Sequence, residues 1–570
     1  MNKNILEFGA VADGVTLNTA AIQNAIDSCS ASGGGRVTVP AGVYKTGTIW
    51  LKRNVDLHLE MGAELFASDN MDDYNPLDAY EQNSSSKHEQ WVGKHLIIAL
   101  ETDNCAITGF GKINGNCQAF VTEHPSPAFK QFEWCHGISV LKDVEQQRPG
   151  QLVCFIECTN VRVQDVTIVN SPCWSCYLLG CEFVQIRGLK VFNPIWMLNS
   201  DGIDIDVSRY VTVSDCIIYT GDDAITLRAC ETRVKNKDIH CEHITITNCV
   251  LSTGICAFRI GVGQGSIRHA RISNIVVRQC MDIVQCCTAY NSHGCANIED
   301  VNFSNISAEN TDRCFDVFAK NGAFVKNITL ENIRTTATII NQIRCDDGVI
   351  DNITVRNLEL AFSDKAEELL PWSLECRGNS MLSVKGASNV MLDDVKILGS
   401  LSGVETTFET DECEGTDLQK LYIEPETLSA GTSIPLKGNN AALYIFSFDW
   451  RTSTHRYNFY GFTINGQNYK WSTETFVVPA GGVTEFVPYY EEVELTTISD
   501  DPEDEEPTDD VTTTVKETET KAPDTTKAPE TTLPKADDEK SGSCGGFTVA
   551  AQLIAVLCST VAFVVIKKRK

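Results

Sequence analysis

Between residues 160 and 400 apolar and polar side chains alternate with period two, in short runs that keep returning. The runs are Asn160–Asn170, Phe183–Val191, Tyr210–Ile218, His243–Leu251, Arg271–Val277, Asn297–Val301, Phe324–Ile328, Ile350–Val355 and Asn389–Val395. Their starts lie mostly 23–33 residues apart, and no helical stretch separates them. One such unit cannot bury its apolar side alone, whereas stacked units share a continuous core. Alternation without intervening helices predicts a parallel β-helix rather than a leucine-rich horseshoe. An open solenoid end needs a cap. Asn18–Ser30 supplies one, because Ala21, Ile22, Ala25, Ile26 and Cys29 fall on one helical face before Ser32-Gly33-Gly34-Gly35 stops the helix. The solenoid is predicted over residues 1–405.

The rhythm changes after that. Leu421–Glu424, Ala442–Phe446, Phe476–Pro479 and Val483–Val487 read as strands separated by turns such as Asn465-Gly466. Residues 406–497 are therefore expected to form a separate small β domain, a spacer or glycan-binding module. From 500 to 540 the chain carries fifteen Asp or Glu, five Lys, ten Thr and five Pro, without one aromatic residue. Such a segment cannot bury enough apolar surface to offset its ordering entropy, so 498–544 is expected to be a disordered acidic stalk. Gly545–Ile566 then runs 22 residues without a charge, enough to span about 30 Å of hydrocarbon at about 1.5 Å per residue. Lys567, Lys568, Arg569 and Lys570 follow at once, and the positive-inside tendency keeps them cytoplasmic. The expected chain is thus all-β with one transmembrane helix and its folded part on the extracellular face. Met1–Asn4 lead straight into Ile5–Ala10 with no charged-then-apolar leader, so the true start is expected to lie upstream.

Composition narrows the classes. The 570 residues carry a formal net charge of −29, which argues against a nucleic-acid binder, since phosphates need a basic stripe. A hydrophobic fraction of 42% excludes wholesale disorder. The 24 cysteines form no paired clusters beyond the lone Cys173/Cys176, so no metal knuckle is expected. Cys216, Cys249 and Cys280 occupy apolar strand positions, where small core residues stack between coils.

Two strands hold an unusual density of carboxylates: Asn199-Ser200-Asp201-Gly202-Ile203-Asp204-Ile205-Asp206 and Gly221-Asp222-Asp223-Ala224-Ile225-Thr226-Leu227-Arg228. If Ile203 and Ile205 stack on Ile225 and Leu227, the register is 22 residues and Asp201 sits one coil, about 4.8 Å, from Asp223. Asp222 then projects elsewhere. Two carboxylates near one point with a third displaced suit water activation opposite a proton donor, a layout that inverting glycosidases use with about 6.5–9.5 Å between acid and base. Crowding also helps one carboxyl keep its proton. Asp204 and Asp206 taken alone read as lining solvent-facing turns, and the whole cluster also suits a calcium ion.

The chain resembles glycoside hydrolase family 28, the polygalacturonases and their pectin-degrading relatives, over roughly residues 4–400. Asn199–Asp204 is similar to the family's Asn-Thr-Asp-Gly-hydrophobic-Asp strand, and Gly221-Asp222-Asp223 to its Gly/Gln-Asp-Asp motif. Phe8-Gly9-Ala10 with Asp13-Gly14, Ile107–Gly115, Arg148-Pro149 and Asn170-Ser171-Pro172 with Trp174 agree as well. The resemblance implies a right-handed, pectin-lyase-like β-helix. It also implies Asp222 as general acid, and Asp201 and Asp223 as the pair that holds and activates water. Two motifs depart. Ser252–Gly261 has no histidine where the family shows Gly-His-Gly, and nothing around Asp282–Tyr290 matches its Arg-Ile-Lys, which grips a uronate carboxylate. That bears on the substrate more than on the chemistry. Arg228 and Arg259 are candidates to replace the grip, or else to pair with the carboxylates; Asn199 and Asp204 complete the candidate substrate-binding set. His269 and His293 read as surface or turn residues. Trp91 and Trp134, in loops over 70–148, are candidates for stacking on sugars.

The leading expectation is a surface-anchored hydrolase of a pectic plant cell-wall polysaccharide that acts by inversion, as a monomer, without metal or organic cofactor. Its expected partners are the polysaccharide and the membrane. A calcium-dependent pectate lyase and a non-catalytic β-helical glycan-binding protein remain the alternatives.

Overall fold

The computed structural model describes residues 2–76, 80, 91–125, 137–143, 146–289, 294–364 and 380–401, then shorter pieces, mainly strands, as far as 494. The chain divides into Met1–Thr497 and Ile498–Lys570. The stalk, the apolar segment Gly545–Ile566 and the basic tail all lie outside the described residues. Among the described residues no helix is long and apolar enough to cross a membrane.

The first unit is a parallel β-helix. Each coil contributes up to three strands, and each strand pairs in parallel with its equivalent one coil on. One face runs through Ile49–Leu51, Ile97–Leu100, Val153–Ile156, Cys176–Leu179, Ile203–Asp206, Ile225–Ala229 and Cys256–Gly263. It continues through the end of Ser266–Cys287, Thr311–Ala319, Asn341–Cys345 and Ser380–Lys385. Period-two alternation aims every second side chain inward, so like positions stack. Val161, Val184, Val211, Ile244, Ala270, Val301, Ile328, Ile353 and Val390 form one such column. All nine are buried. Each full burial of a Val or Ile is worth about 1.5–3 kcal/mol, which is how a fold without a central helix holds together. Cys216, Cys249 and Cys280 are buried free thiols within this core.

At the bends the backbone turns left-handed and asparagine takes the position, as residues that tolerate positive φ should. Asn248, Asn274, Asn305, Asn332 and Asn357 have φ of 47° to 57° and link amide to amide from coil to coil.

The capping helix spans Thr19–Ala31 and buries Ile22, Ala25, Ile26 and Cys29 against the first coils. It stops at glycines for a steric reason. Gly34 has φ of 106°, and a Cβ there would lie 2.4 Å from Asn54.

The expected boundary at 405/406 needs correcting. Thr406–Asp411 pairs in parallel with Ser380–Lys385, and Leu421–Glu424 with Val395–Leu398, so the solenoid runs on to Glu424. Both steps are 26 residues, inside the 23–33 of the earlier coils, and only the turn-separated strands beyond Glu424 make this stretch read as a new module. Beyond Glu424 the described strands pair antiparallel. Ser433–Pro435 pairs with Thr475–Val477. Trp450–Arg451, His455–Ile464, Gln467–Lys470 and Phe486–Glu494 form a separate sheet.

Candidate active site

The predicted register holds. Ile203 pairs with Ile225 and Ile205 with Leu227, 22 residues apart, and all four side chains point into the core. Glycines let the two coils come this close. A Cβ on Gly202 would lie 2.4 Å from the Ala224 carbonyl oxygen, and one on Gly221 would lie 2.3 Å from that of Met197. Each glycine adjoins an aspartate, so the two motifs are a packing requirement as much as a chemical one.

This packing brings Asp201, Asp222 and Asp223 together, with one carboxylate oxygen from each lying within 4.8 Å of the others. That is closer than the 6.5–9.5 Å anticipated for acid and base, because a single coil step separates the strands. Asp201 and Asp223 are buried, while Asp222 is partly open. The Asn199 N–H donates to Asp222 Oδ2 at 3.0 Å and the Asp223 N–H to Asp222 Oδ1 at 2.9 Å. Asp223 Oδ1 accepts the Cys256 N–H at 3.1 Å and Arg259 Nη2 at 3.1 Å; Arg259 Nε donates to Asp223 Oδ2. Among the described residues Asp201 Oδ1 is buried without a hydrogen-bond partner.

Electrostatics separate these groups. Burial first, then the neighbouring Asp223, pushes Asp222 up to about 7, against the pull of Arg259 and the two backbone donors. Burial, followed by Asp204, Asp222 and Asp223, raises Asp201 well above the usual carboxylate range. With Asp201 and Asp222 both raised and within reach of each other, the pair retains a proton near neutral pH. A carboxyl poised near 7 is suited to general-acid work.

The other candidates are placed as follows. Arg259 pairs with Asp223, and its Nη1 donates to Gln285 Oε1. Arg228 donates to Asp204 Oδ1 at 3.2 Å and lies 4.2 Å from the Trp174 ring centroid. Of the two roles left open for these arginines, pairing with protein carboxylates is the one seen. Asn199 caps Asp222 through its N–H, and its Oδ1 accepts Arg148 Nη2 at 2.7 Å. Asp204 and Asp206 do not line solvent-facing turns. Both are fully buried, Asp206 accepting from Tyr177 at 3.0 Å and from the Cys230 N–H at 2.8 Å. At these coils Trp174, Arg228 and Tyr177 cover the outward face, so alternation no longer means inside against outside.

His269 is an exposed residue bonded to Asp300. His293 and Trp134 lie outside the described residues, as does the Trp91 side chain.

The sequence reading passed over Asp282, Gln285 and Arg313. Arg313 Nε donates to Asp282 Oδ1 at 2.7 Å and Nη2 to Oδ2 at 2.9 Å, while Gln285 Nε2 reaches Asp282 Oδ2 at 3.2 Å. Continuing the coil register from Arg259 would have found Gln285.

A cation at the trio would compete with donors already present. Both oxygens of Asp222 accept backbone N–H groups, and both of Asp223 face the Arg259 guanidinium. That donor set suits a proton and a water better than calcium.

Residues 29–376 match the family model described as glycosyl hydrolases family 28. An exo-poly-alpha-D-galacturonosidase of Dickeya chrysanthemi is 32% identical over 255 residues, 40% of this chain and 42% of that protein. The chain spans less than half the length of the first curated relatives it matches, 42% and 44%. The family 28 exopolygalacturonase of Yersinia enterocolitica superposes with a TM-score of 0.59 at 23% identity, covering 73% of this chain and 78% of that one. The Erwinia carotovora polygalacturonase gives 0.50 at 18% identity, over 63% and 95%. These two structures are alike in fold.

Proposed function

The chain belongs to glycosyl hydrolases family 28, and from that membership and the site we propose that it hydrolyses glycosidic bonds of a pectic plant cell-wall polysaccharide. The observation that carries this reading is a carboxyl raised to about 7, Asp222, with Asp201 and Asp223 oxygens within 4.8 Å. Asp222 donates its proton to the leaving glycosidic oxygen. Asp223, oriented by Arg259, and Asp201, with an oxygen still open to a donor, share the attacking water and take its proton. Inversion rests on the family resemblance, since the oxygen spacing alone lies nearer the about 5–5.5 Å of retaining enzymes. Proton NMR of the first-formed anomer decides between the two.

The test is incubation of the full chain with pectic polysaccharides in the presence of chelator, beside an Asp222→Asn control. Reducing ends from the wild type, lost in the variant and indifferent to chelator, support the proposal. Unsaturated products that require calcium would replace it with a lyase, and binding without cleavage would leave a glycan-binding protein.

The same proposal includes a right-handed solenoid, as the crossovers of parallel strands almost always are. It places this solenoid and a small antiparallel module at the outer face of a membrane, monomeric, on the acidic stalk and the Gly545–Ile566 anchor. Composition supports this arrangement. Truncation before Gly545 should move the protein from the membrane to the soluble fraction. Recovery of both forms from the soluble fraction would refute the anchor.

A further inference from the structure

Beyond the trio, successive coils lay a strip of polar side chains along the same face. Thr226, Arg259, Gln285, Asp316 and Gln342 follow one another in register, and Cys256, Asp282 and Arg313 form the neighbouring column. The two guanidiniums of this strip are bound to the protein's own acids. Arg259 holds Asp223, and Arg313 holds Asp282 through two bonds while its Nη2 lies 3.2 Å from Asp316 Oδ2. Their side chains are only 7% and 5% exposed, so neither reaches outward past its partner. Asp222, Gln285 and Asp316 are partly open to solvent. What the strip presents is therefore two carboxyls with an amide between them.

The charge balance follows. Asp222, Asp223, Asp282 and Asp316 stand against two arginines, and with a proton on Asp222 three carboxylates still face two cations. A free uronate arriving here adds another negative charge. To be gripped, it must draw Arg259 from Asp223 or Arg313 from Asp282, leaving a buried acid uncompensated, whereas a hydroxyl or an ester makes no such demand. Sugar hydroxyls donate, and the open carboxyls accept. The net charge of −29 adds long-range repulsion against a polyanion.

We infer that this strip is a subsite for an uncharged pectic sugar unit, with its carboxyl masked as an ester or absent, rather than for free galacturonate. The inference rests on the hydrolase reading above only for calling the sugar pectic; sugar binding tests it separately from cleavage.

The experiment uses the full chain carrying Asp222→Asn, which mimics the protonated acid and does not turn ligand over. Calorimetric titration compares three oligosaccharides of equal length: free oligogalacturonide, its methyl ester and a neutral galacto-oligosaccharide. The tighter neutral ligand should bind at least tenfold better than the free acid, and the two neutral arms tell an ester from a plain alcohol. Adding Asp316→Asn, which leaves Arg313 with one acid instead of two, should improve the free acid alone by several-fold. The inference is overturned if the free acid binds as well as the better neutral ligand. It is likewise overturned if none of the three binds, or if Asp316→Asn leaves the ratio between them unchanged. Reducing-end release by the wild type reports on hydrolysis independently.

Discussion

Replacing the proposed acid should make the protein more stable as it becomes inactive, and by an amount that depends on pH. Asp222 is raised from 3.8 to about 7 by burial and by Asp223. Its carboxyl is protonated in both folded and unfolded chains below about pH 4, so it costs nothing there. As pH rises from about 4 to about 7 the unfolded chain ionises while the folded one holds its proton, and stability falls by about 1.4 kcal/mol per unit. The full loss is about 4 kcal/mol, reached as pH passes the folded value and constant above it. Asp222→Asn escapes this loss. It gives up one of the two backbone N–H bonds from Asn199 and Asp223, because an amide has one acceptor oxygen; that costs about 1 kcal/mol at every pH. The variant should therefore be about 1 kcal/mol less stable than wild type at pH 4 and about 3 kcal/mol more stable at pH 8. For the unit Met1–Thr497, at about 2.1 cal/mol/K per residue, the unfolding entropy is about 1 kcal/mol/K, so the advantage at pH 8 is about 3 °C in Tm. Calorimetric scans of both proteins from pH 4 to 8 measure it, alongside loss of activity by about 10²–10⁴. Parallel Tm curves, or a variant less stable at pH 8, would refute a raised Asp222.

The remaining expectations use the same geometry. In the wild type, kcat should fall about tenfold per unit once pH exceeds about 7, as Asp222 loses the proton it must donate; a flat profile to pH 9 would remove it as the acid. Arg259→Gln should lower kcat at least about a hundredfold with a smaller change in KM. It should also move the basic limb upward, since Arg259 holds Asp222 down, and Arg259→Lys should restore part of both effects. An unshifted limb would confine Arg259 to packing. Gly202→Ala puts a methyl 2.4 Å from the Ala224 carbonyl oxygen and should cost about 1–3 kcal/mol while separating Asp201 from Asp223; unchanged kcat and Tm would show that the coils need not approach so closely.

What the sequence disclosed follows from the repeat. In a stacked solenoid a strand's partner is the next equivalent strand, so matching Ile203 and Ile205 to Ile225 and Leu227 needed only the alternation and the spacing. The helical face of Asn18–Ser30 was legible for a similar reason, being a local pattern that its own packing satisfies. Three features were not legible. Asp204 and Asp206 looked outward, and they do point away from the core, but a second layer from Trp174, Tyr177 and Arg228 buries them. Arg259 finds Asp223 across 36 residues and a coil step of 33 where the step before it is 22, and sequence offers two equal roles for a cation beside acids. Leu421–Glu424 belongs to the solenoid at an ordinary step of 26 residues from Val395–Leu398, but the turn-separated strands that follow share its pattern, so alternation alone groups it with them.

The arrangement of acids explains why such a site can exist in a fold that otherwise buries only apolar columns. Burying an unpaired carboxylate is costly, and each coil around the trio meets that cost differently. Asp204, Asp223 and Asp282 each receive an arginine, and Asp206 a tyrosine hydroxyl and an N–H. Among the described residues Asp222 and Asp201 receive neither an arginine nor a hydroxyl. Asp222 has only backbone donors and answers by holding a proton near neutrality; Asp201 retains an oxygen with nothing to accept. On the proposed reading the groups left uncompensated are the ones that face the reacting bond, and their compensation comes from what binds there, a leaving-group oxygen for one and a water for the other. The arginines serve chemistry by compensating Asp204, Asp223 and Asp282, with Arg259 also fixing the orientation of Asp223, and for the same reason they are not available to recognise the charge of a uronate.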